Sequence, residues 1–113
     1  MTFPDDENGH VLRRMLANGD NLSKARDIDF NHIFESEENA KRFMEAARER
    51  GYKRVSYEFE EDEFEKEPGV WGVLVKIFIL PTHAEITAEE RKLDFLAREF
   101  EGRADGWGSF RTE

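Results

Sequence analysis

Apolar residues recur at helical spacing in three segments of the chain. These segments run from about Asp6 to Asn18, from Ser36 to Arg50 and from Thr87 to Phe100. In each one the apolar side chains fall every three or four positions, which predicts an amphipathic helix with one buried stripe. Ser36 suits the N-cap of the second helix, and Thr87-Ala-Glu-Glu90 has the capping-box pattern for the start of the third.

Between the helices, apolar and polar residues alternate, which predicts β-strands. The alternating segments are Arg26 to Phe34, Lys53 to Glu60 and Val70 to Leu80. A short edge strand is expected at Trp107 to Arg111, in the glycine-rich tail. The segment from Val70 to Leu80 is apolar on both faces, so we expect it to be a central strand with some cover on each side.

The order of these elements predicts the fold class. After the first helix it is βαββαβ, the order of a ferredoxin-like unit. We therefore expect an α+β fold: a ferredoxin-like α/β sandwich with an extra N-terminal helix and a mainly antiparallel sheet. Two helices cover only one face of such a sheet. Leu74, Phe78 and Leu80 then need cover on the other face, from the first helix, the tail or a second copy of the chain.

Length and composition restrict the class of protein. The 113 residues suit a single domain spanning 1–113. There is no cysteine, which excludes disulfides, thiolate metal sites and a cysteine nucleophile. No apolar run approaches the ~20 residues of a membrane span, and the acidic N-terminus does not resemble a secretory signal. We therefore expect a cytoplasmic protein.

The net charge of −9 argues against nonspecific binding to nucleic acid, which relies on Lys and Arg. Most of this charge lies in one block, Glu58-Phe-Glu-Glu-Asp-Glu-Phe-Glu-Lys-Glu67, with a local net of −6. Its carboxylates belong to Glu58, Glu60, Glu61, Asp62, Glu63, Glu65 and Glu67. Two interpretations are open, a solvated loop or a docking surface for a basic partner. Phe59 and Phe64 are correspondingly either buried hairpin residues or exposed anchors.

Asp27 and Asp29 share the polar face of the first strand. Such a pair either forms salt bridges, with Arg26 or Arg54, or acts as general acid and base. Thr82 and His83 either organise the turn before the third helix or, with His83 and Glu85 together, form a binding rim. The His-x-Glu pattern of His83 and Glu85 is also found in zinc deaminases, but those require cysteines that this chain lacks.

The remaining candidate residues are aromatic or histidine. Trp107 either folds back over the open face of the sheet or anchors a partner. The three histidines lack the short spacing of a metal site, and there is neither a phosphate-binding loop nor a dinucleotide fingerprint. We expect no metal and no cofactor.

Four blocks in order resemble the regulator of ribonuclease activity B (RraB) family over nearly the whole chain. They are Phe3-Pro-Asp-Asp6 with Val11-Leu12, Arg26-Asp-Ile-Asp-Phe30, Pro81-Thr-His-Ala-Glu-Ile-Thr87 and Asp105-Gly-Trp-Gly-Ser-Phe110. The resemblance implies a small bacterial α+β protein without enzyme activity. Members are described as inhibitors of ribonuclease E, the endonuclease that organises bacterial RNA decay. The implied contact is with the arginine-rich, noncatalytic scaffold of that enzyme.

The acidic excess agrees with this implied partner, because arginine and carboxylate groups form charge-assisted, often bidentate hydrogen bonds. The sequence thus favours a noncatalytic regulator that binds ribonuclease E or another protein with a basic segment. One alternative is a ferredoxin-like small-molecule-binding or enzymatic domain with a pocket near Asp27, Asp29 and His83. Another is a homo-oligomer formed through the open sheet face.

Overall fold

The computed structural model describes residues 3–60 and 69–109. Within these ranges, three helices and four strands follow one another in the predicted order, so the α+β class is confirmed. The elements are α1 (Glu7–Ala17), β1 (Arg26–Phe34), α2 (Glu37–Glu49), β2 (Arg54–Glu60), β3 (Val70–Ile79), α3 (His83–Glu99) and β4 (Arg103–Gly108).

The four strands form one sheet in the order β2-β3-β1-β4, and every neighbouring pair is antiparallel. β3 therefore lies inside the sheet, as its two apolar faces predicted. The register brings the apolar positions of adjacent strands together: Val75 of β3 lies opposite Phe30 of β1 and Val55 of β2. One face of the sheet is consequently apolar across its width.

The helices pack on that apolar face. Ala40, Phe43 and Ala47 of α2 and Leu93, Leu96 and Ala97 of α3 are buried in the same core as the strand residues. Both helices therefore present the predicted stripe to the sheet. α1 packs against α3, so it extends the helical layer and leaves the second sheet face uncovered. In the described part of the chain, no helix is both long and apolar enough to cross a membrane.

The start of the third helix differs from the prediction. α3 begins at His83, and the hydroxyl of its N-cap Thr82 accepts a hydrogen bond from the backbone N–H of Glu85 at 3.1 Å. The capping-box assignment at Thr87 was wrong, because Thr87 and Glu90 already lie inside the helix. Their side chains instead accept hydrogen bonds from Asn8 of α1, at 3.1 and 3.0 Å. A pattern for a local cap was in fact the signature of a contact between helices.

The last strand also begins earlier than predicted, at Arg103 in place of Trp107. Its pairing with β1 shifts between Trp107, opposite Phe30, and Ala104, opposite His32. One extra residue is accommodated there, and Gly106 has φ 92°, a conformation that favours glycine. This bulge interrupts the alternating pattern, which is why the prediction included only the last two residues of the strand, Trp107 and Gly108. The strand ends before Ser109, and the predicted end at Arg111 lies outside the described residues.

The open sheet face stays exposed in the described part of the molecule. Phe78 is 64% exposed and Leu80 41%. α1 lies in the helical layer, and Trp107 lies on the covered side because it pairs with the buried Phe30. The first helix does not cover the open sheet face, and neither does the tail as far as Ser109, so both of these expectations were wrong. Cover by a second copy stays a prediction.

Candidate protein-binding surface

Strand alternation places a mixed set of polar and apolar side chains on the uncovered side of the sheet, which we call the open face. Along each strand, side chains that point to the buried face alternate with side chains that point to the open face. The open face comprises Asp27, Asp29, Asn31 and Ile33 of β1, Arg54, Ser56 and Glu58 of β2, Gly72, Leu74, Lys76 and Phe78 of β3, and Arg103 and Asp105 of β4.

At one end of the open face the carboxylates are paired. An Oδ1 atom of Asp27 lies 2.6 Å from Nη2 of Arg54, and this bond is the main reason that the pKa of Asp27 is lowered. Asp29 Oδ1 lies 3.5 Å from Nζ of Lys76, a distance that fits an ion pair better than a well-formed hydrogen bond. Asp27 and Asp29 thus form salt bridges, which was one of the two interpretations of this pair from the sequence.

At the other end, the carboxylates have no such partner. A shallow cavity of about 470 Å³ lies around Gly72, with Ile33 and Leu74 beside it and Glu58 and Asp105 on its two banks. Neither Glu58 nor Asp105 forms an ion pair with any residue in the described ranges. Three strand spacings separate the two banks, about 14 Å. Arg103, opposite Ile33, is exposed at the same end, so two carboxylates and one guanidinium give it a net charge of −1. We call this accessible region the negative end of the open face.

The acidic block begins at this negative end. Glu58 is exposed on β2, and β2 ends at Glu60. Glu61, Asp62, Glu63, Glu65 and Glu67, together with Phe64, lie outside the described residues. Phe59 points to the helical side and is 47% exposed. About half of the Phe59 surface is therefore accessible, which lies between a buried hairpin residue and a fully exposed anchor.

His83 and Glu85 lie elsewhere, where the N-termini of α1 and α3 meet. Nε2 of His83 is 2.8 Å from an oxygen of Asp6, whose side chain also accepts the backbone N–H of Gly9 at 2.8 Å. The Gly9 hydrogen bond and then His83 lower the pKa of Asp6. Glu85 is exposed in the first turn of α3. A partner-binding role for His83 and Glu85 stays a prediction.

Trp107 is fixed inside the same junction. Its indole N–H donates to Oδ1 of Asn8 at 2.9 Å, while the amide of Asn8 reaches Thr87 and Glu90. One asparagine thus joins α1, α3 and β4. Trp107 packs against the core on the helical side, which corrects the expectation that it lies over the open face. Its role as a partner anchor stays a prediction.

A buried ion pair at the start of β1 was missed by the sequence analysis. Nη1 of Arg26 lies 2.6 and 2.8 Å from the two carboxylate oxygens of Asp20, and Nη2 donates to the carbonyl of Asn21 at 2.6 Å. The side chains of Arg26 and Asp20 are only 6% and 2% exposed. The signal was the position of Arg26, which shares the strand face of Ile28 and Phe30.

His32 lies apart from His10 and His83, both of which act on the carboxylate of Asp6. His32 is buried beside Phe43, with ring centroids 4.9 Å apart, and burial lowers its pKa to about 4. It is therefore a neutral core residue at pH 7. Across residues 3–60 and 69–109, no group of three His, Asp or Glu side chains is arranged to hold a metal ion.

Comparison with known proteins gives one family. The family model described as regulator of ribonuclease activity B, RraB, matches residues 5–109. The chain belongs to the RraB family. No curated protein matches it closely enough to count as a relative. The RraB match includes the whole open face and the junction of α1, α3 and β4, so both regions belong to the family's domain.

Proposed function

We propose that this RraB-family chain is a noncatalytic regulator that binds a basic segment of ribonuclease E and thereby modulates RNA decay. The supporting observation is the negative end of the open face. Glu58 and Asp105 are exposed there without ion-pair partners in the described ranges, and the acidic block continues directly from β2. A regulator of a ribonuclease needs no active site of its own, because it acts by occupying the enzyme.

The proposed partner is the arginine-rich scaffold region of the enzyme, or another protein segment of the same chemistry. Guanidinium and carboxylate groups form strong, often bidentate hydrogen bonds, and complementary charge speeds their encounter. The carboxylates proposed to contribute first are Glu58, Glu60, Glu61, Asp62, Glu63, Glu65 and Glu67. Inhibition then follows from occupying or remodelling the scaffold, and the protein acts in the cytoplasm with its partner.

The contacts of the candidate acid–base residues support a noncatalytic protein. Asp27 bonds to Arg54, Asp29 faces Lys76, and His83 bonds to Asp6 in a different part of the fold. The cavity on the open face borders none of these three candidates. The pocket required by the enzymatic alternative is therefore not assembled from Asp27, Asp29 and His83.

A titration of the ribonuclease E scaffold fragment into the full chain tests this proposal. Binding should be strong at low salt and weaken as the ionic strength rises, because exposed charges are screened within ~10 Å at 0.1 M salt. A variant with the acids of the block changed to Gln and Asn should bind more weakly and depend less on salt. No binding at any salt rejects the partner, and binding indifferent to both changes rejects the electrostatic mechanism.

A further inference from the structure

Three aromatic side chains form a partly exposed ledge where the β2–β3 pair leads into the acidic block. Phe59 lies directly opposite Trp71, with ring centroids 5.1 Å apart, and Tyr57 lies 5.6 Å from the same indole. We call Tyr57, Phe59 and Trp71 the aromatic ledge. Phe59 is 47% exposed, and Tyr57 and Trp71 are half-buried. The core therefore uses only part of their surface.

A cation of the protein itself already lies over one of these rings. Nζ of Lys41, on α2, is 6.0 Å from the centroid of Tyr57. Glu37 holds the ammonium group from one helical turn away, with Oε1 at 3.3 Å. The 6.0 Å between Nζ of Lys41 and the centroid of Tyr57 is at the outer limit of a cation–π contact. The surroundings of the ledge thus accept a positive charge, and Lys41 covers only one of its three rings.

The chain next to the ledge is acidic. The acidic block continues in the sequence directly after Phe59, and Glu37, in the first turn of α2, holds Lys41 beside Tyr57, whereas the side chain of Glu58 lies on the opposite, open face. Carboxylates around an exposed aromatic surface attract cations, and the ring faces then give a flat group something to stack on. Phe95 on α3 offers a contrast. It is 73% exposed, but it borders a groove that contains the cations Arg91 and Lys92 and one further aromatic ring, that of Tyr52.

We propose that the aromatic ledge binds an arginine guanidinium of a basic partner segment, stacked on Phe59 and Trp71. The proposal rests on the proposed function, because it names the group by which the same partner is recognised. β2 is an edge strand, so a segment on the open face reaches the ledge, on the helical side, around that edge. Arginine suits this site better than lysine, since the guanidinium is planar, is less strongly hydrated and stacks on aromatic faces. Carboxylates alone attract both residues, whereas the ledge distinguishes them.

A pair of synthetic peptides tests the inference, one rich in arginine and one with lysine at every arginine position. The full chain should bind the arginine peptide about fivefold more tightly. Phe59→Leu keeps an apolar side chain but removes the ring, so it should weaken arginine binding about fivefold and remove the preference. Phe95→Leu, a matched change at the other exposed phenylalanine, should change neither affinity. Circular dichroism establishes that both variants are folded.

The two indole N–H signals in an NMR spectrum give an independent readout. Titration with the arginine peptide should shift the Trp71 signal, because that ring belongs to the ledge. The Trp107 signal should stay in place, since that indole is bonded to Asn8 in the junction. A shift at Trp107 without one at Trp71 would place the peptide elsewhere and overturn the inference.

The outcomes separate this inference from the proposed function. If the scaffold fragment binds and Phe59→Leu changes neither affinity nor the arginine preference, the ledge is rejected and the proposed function stands. If the scaffold fragment does not bind but the arginine peptide does, with a preference lost in Phe59→Leu, the ledge stands and ribonuclease E is rejected. Failure of both ligands to bind rejects both.

Discussion

Polar groups serve opposite purposes in the helical junction and on the open face. At the junction of α1, α3 and β4, Asn8 bonds to Trp107, Thr87 and Glu90, and His83 bonds to Asp6. At the negative end of the open face, Glu58 and Asp105 are exposed without ion-pair partners in the described ranges. Both regions are polar, but only the second leaves its polar groups available.

The contrast separates structural from functional polar residues in this domain. A side chain that already satisfies its hydrogen bonds internally contributes to stability, and its loss should lower the free energy of unfolding. A solvated side chain contributes little to stability, so its loss should be felt only when a partner is present.

The largest effect is expected at the buried ion pair. Arg26→Met removes the guanidinium that bonds to both oxygens of the buried Asp20 carboxylate, which should cost about 3–5 kcal/mol in the free energy of unfolding. Arg54→Met removes the exposed pair with Asp27 and should leave the urea midpoint almost unchanged. Urea unfolding of both variants makes the comparison. Equal losses would show that the two pairs are not energetically different.

The pH dependence should come next in size and should come from His32. Burial lowers its pKa to about 4 in the folded protein, against about 6.5 when unfolded. Protonation therefore favours the unfolded chain, so the stability is fully present above pH ~6.5 and falls by about 3 kcal/mol as the pH drops to ~4. The lowered carboxylate pKa values of Asp6, Asp27 and Asp94 add their losses at still lower pH.

Unfolding curves at several pH values measure this effect. His32→Leu should flatten the dependence between pH ~6.5 and ~4, because the variant has no group with that shift. A profile that stays equally steep without His32 would mean that another group is responsible.

Asparagine substitutions compare the junction with the open face directly. Asn8→Ala leaves the Trp107 indole N–H without its acceptor and should cost about 1–3 kcal/mol. Asn31→Ala, on the open face, should cost less than about 0.5 kcal/mol. Thermal or urea unfolding distinguishes them. A similar loss at both positions would contradict the structural role given to Asn8.

The smallest effect on stability is expected at Phe78, which is 64% exposed on the same strand as the fully buried Val75. Phe78→Ser should change the free energy of unfolding by less than about 0.5 kcal/mol, whereas Val75→Ala should cost about 1–3 kcal/mol.

Light scattering at two concentrations then tests the open face as a self-interface. If the open face binds a different protein, the chain alone should have the 13.3 kDa mass of a monomer at both concentrations. A larger mass that Phe78→Ser reduces would instead support the homo-oligomer alternative.

Periodicity was sufficient for most of the fold. The alternation in Arg26–Phe34 and the stripe in Glu37–Glu49 appear in the structure with nearly the predicted limits, because each element buries one continuous face. The prediction was wrong where a local pattern had a nonlocal cause. Thr87 and Glu90 match the pattern of a helix start but bond to Asn8, and the bulge at Gly106 obscured residues 103–106 of β4.

The candidate surface was less predictable from the sequence. The alternation predicted that Asp27 and Asp29 lie on an exposed face. It did not predict their pairing with Arg54 and Lys76, because that pairing depends on the sheet register. Likewise, the acidic block was visible as charge, whereas the approach of Trp71 to Phe59 required the β2–β3 pairing. Cross-strand neighbours are set by register, and a single sequence does not display register.

Removing equal charge from two regions of the protein tests where the partner binds. One variant combines Glu58→Gln with Asp105→Asn at the negative end of the open face. Its control combines Glu45→Gln with Glu99→Gln, both exposed on the helical side. Titrated with the ribonuclease E scaffold fragment at low salt, the first variant should bind about fivefold more weakly and the control should change by less than about twofold. Equal weakening in both variants would contradict the claim that the open face carries the interaction.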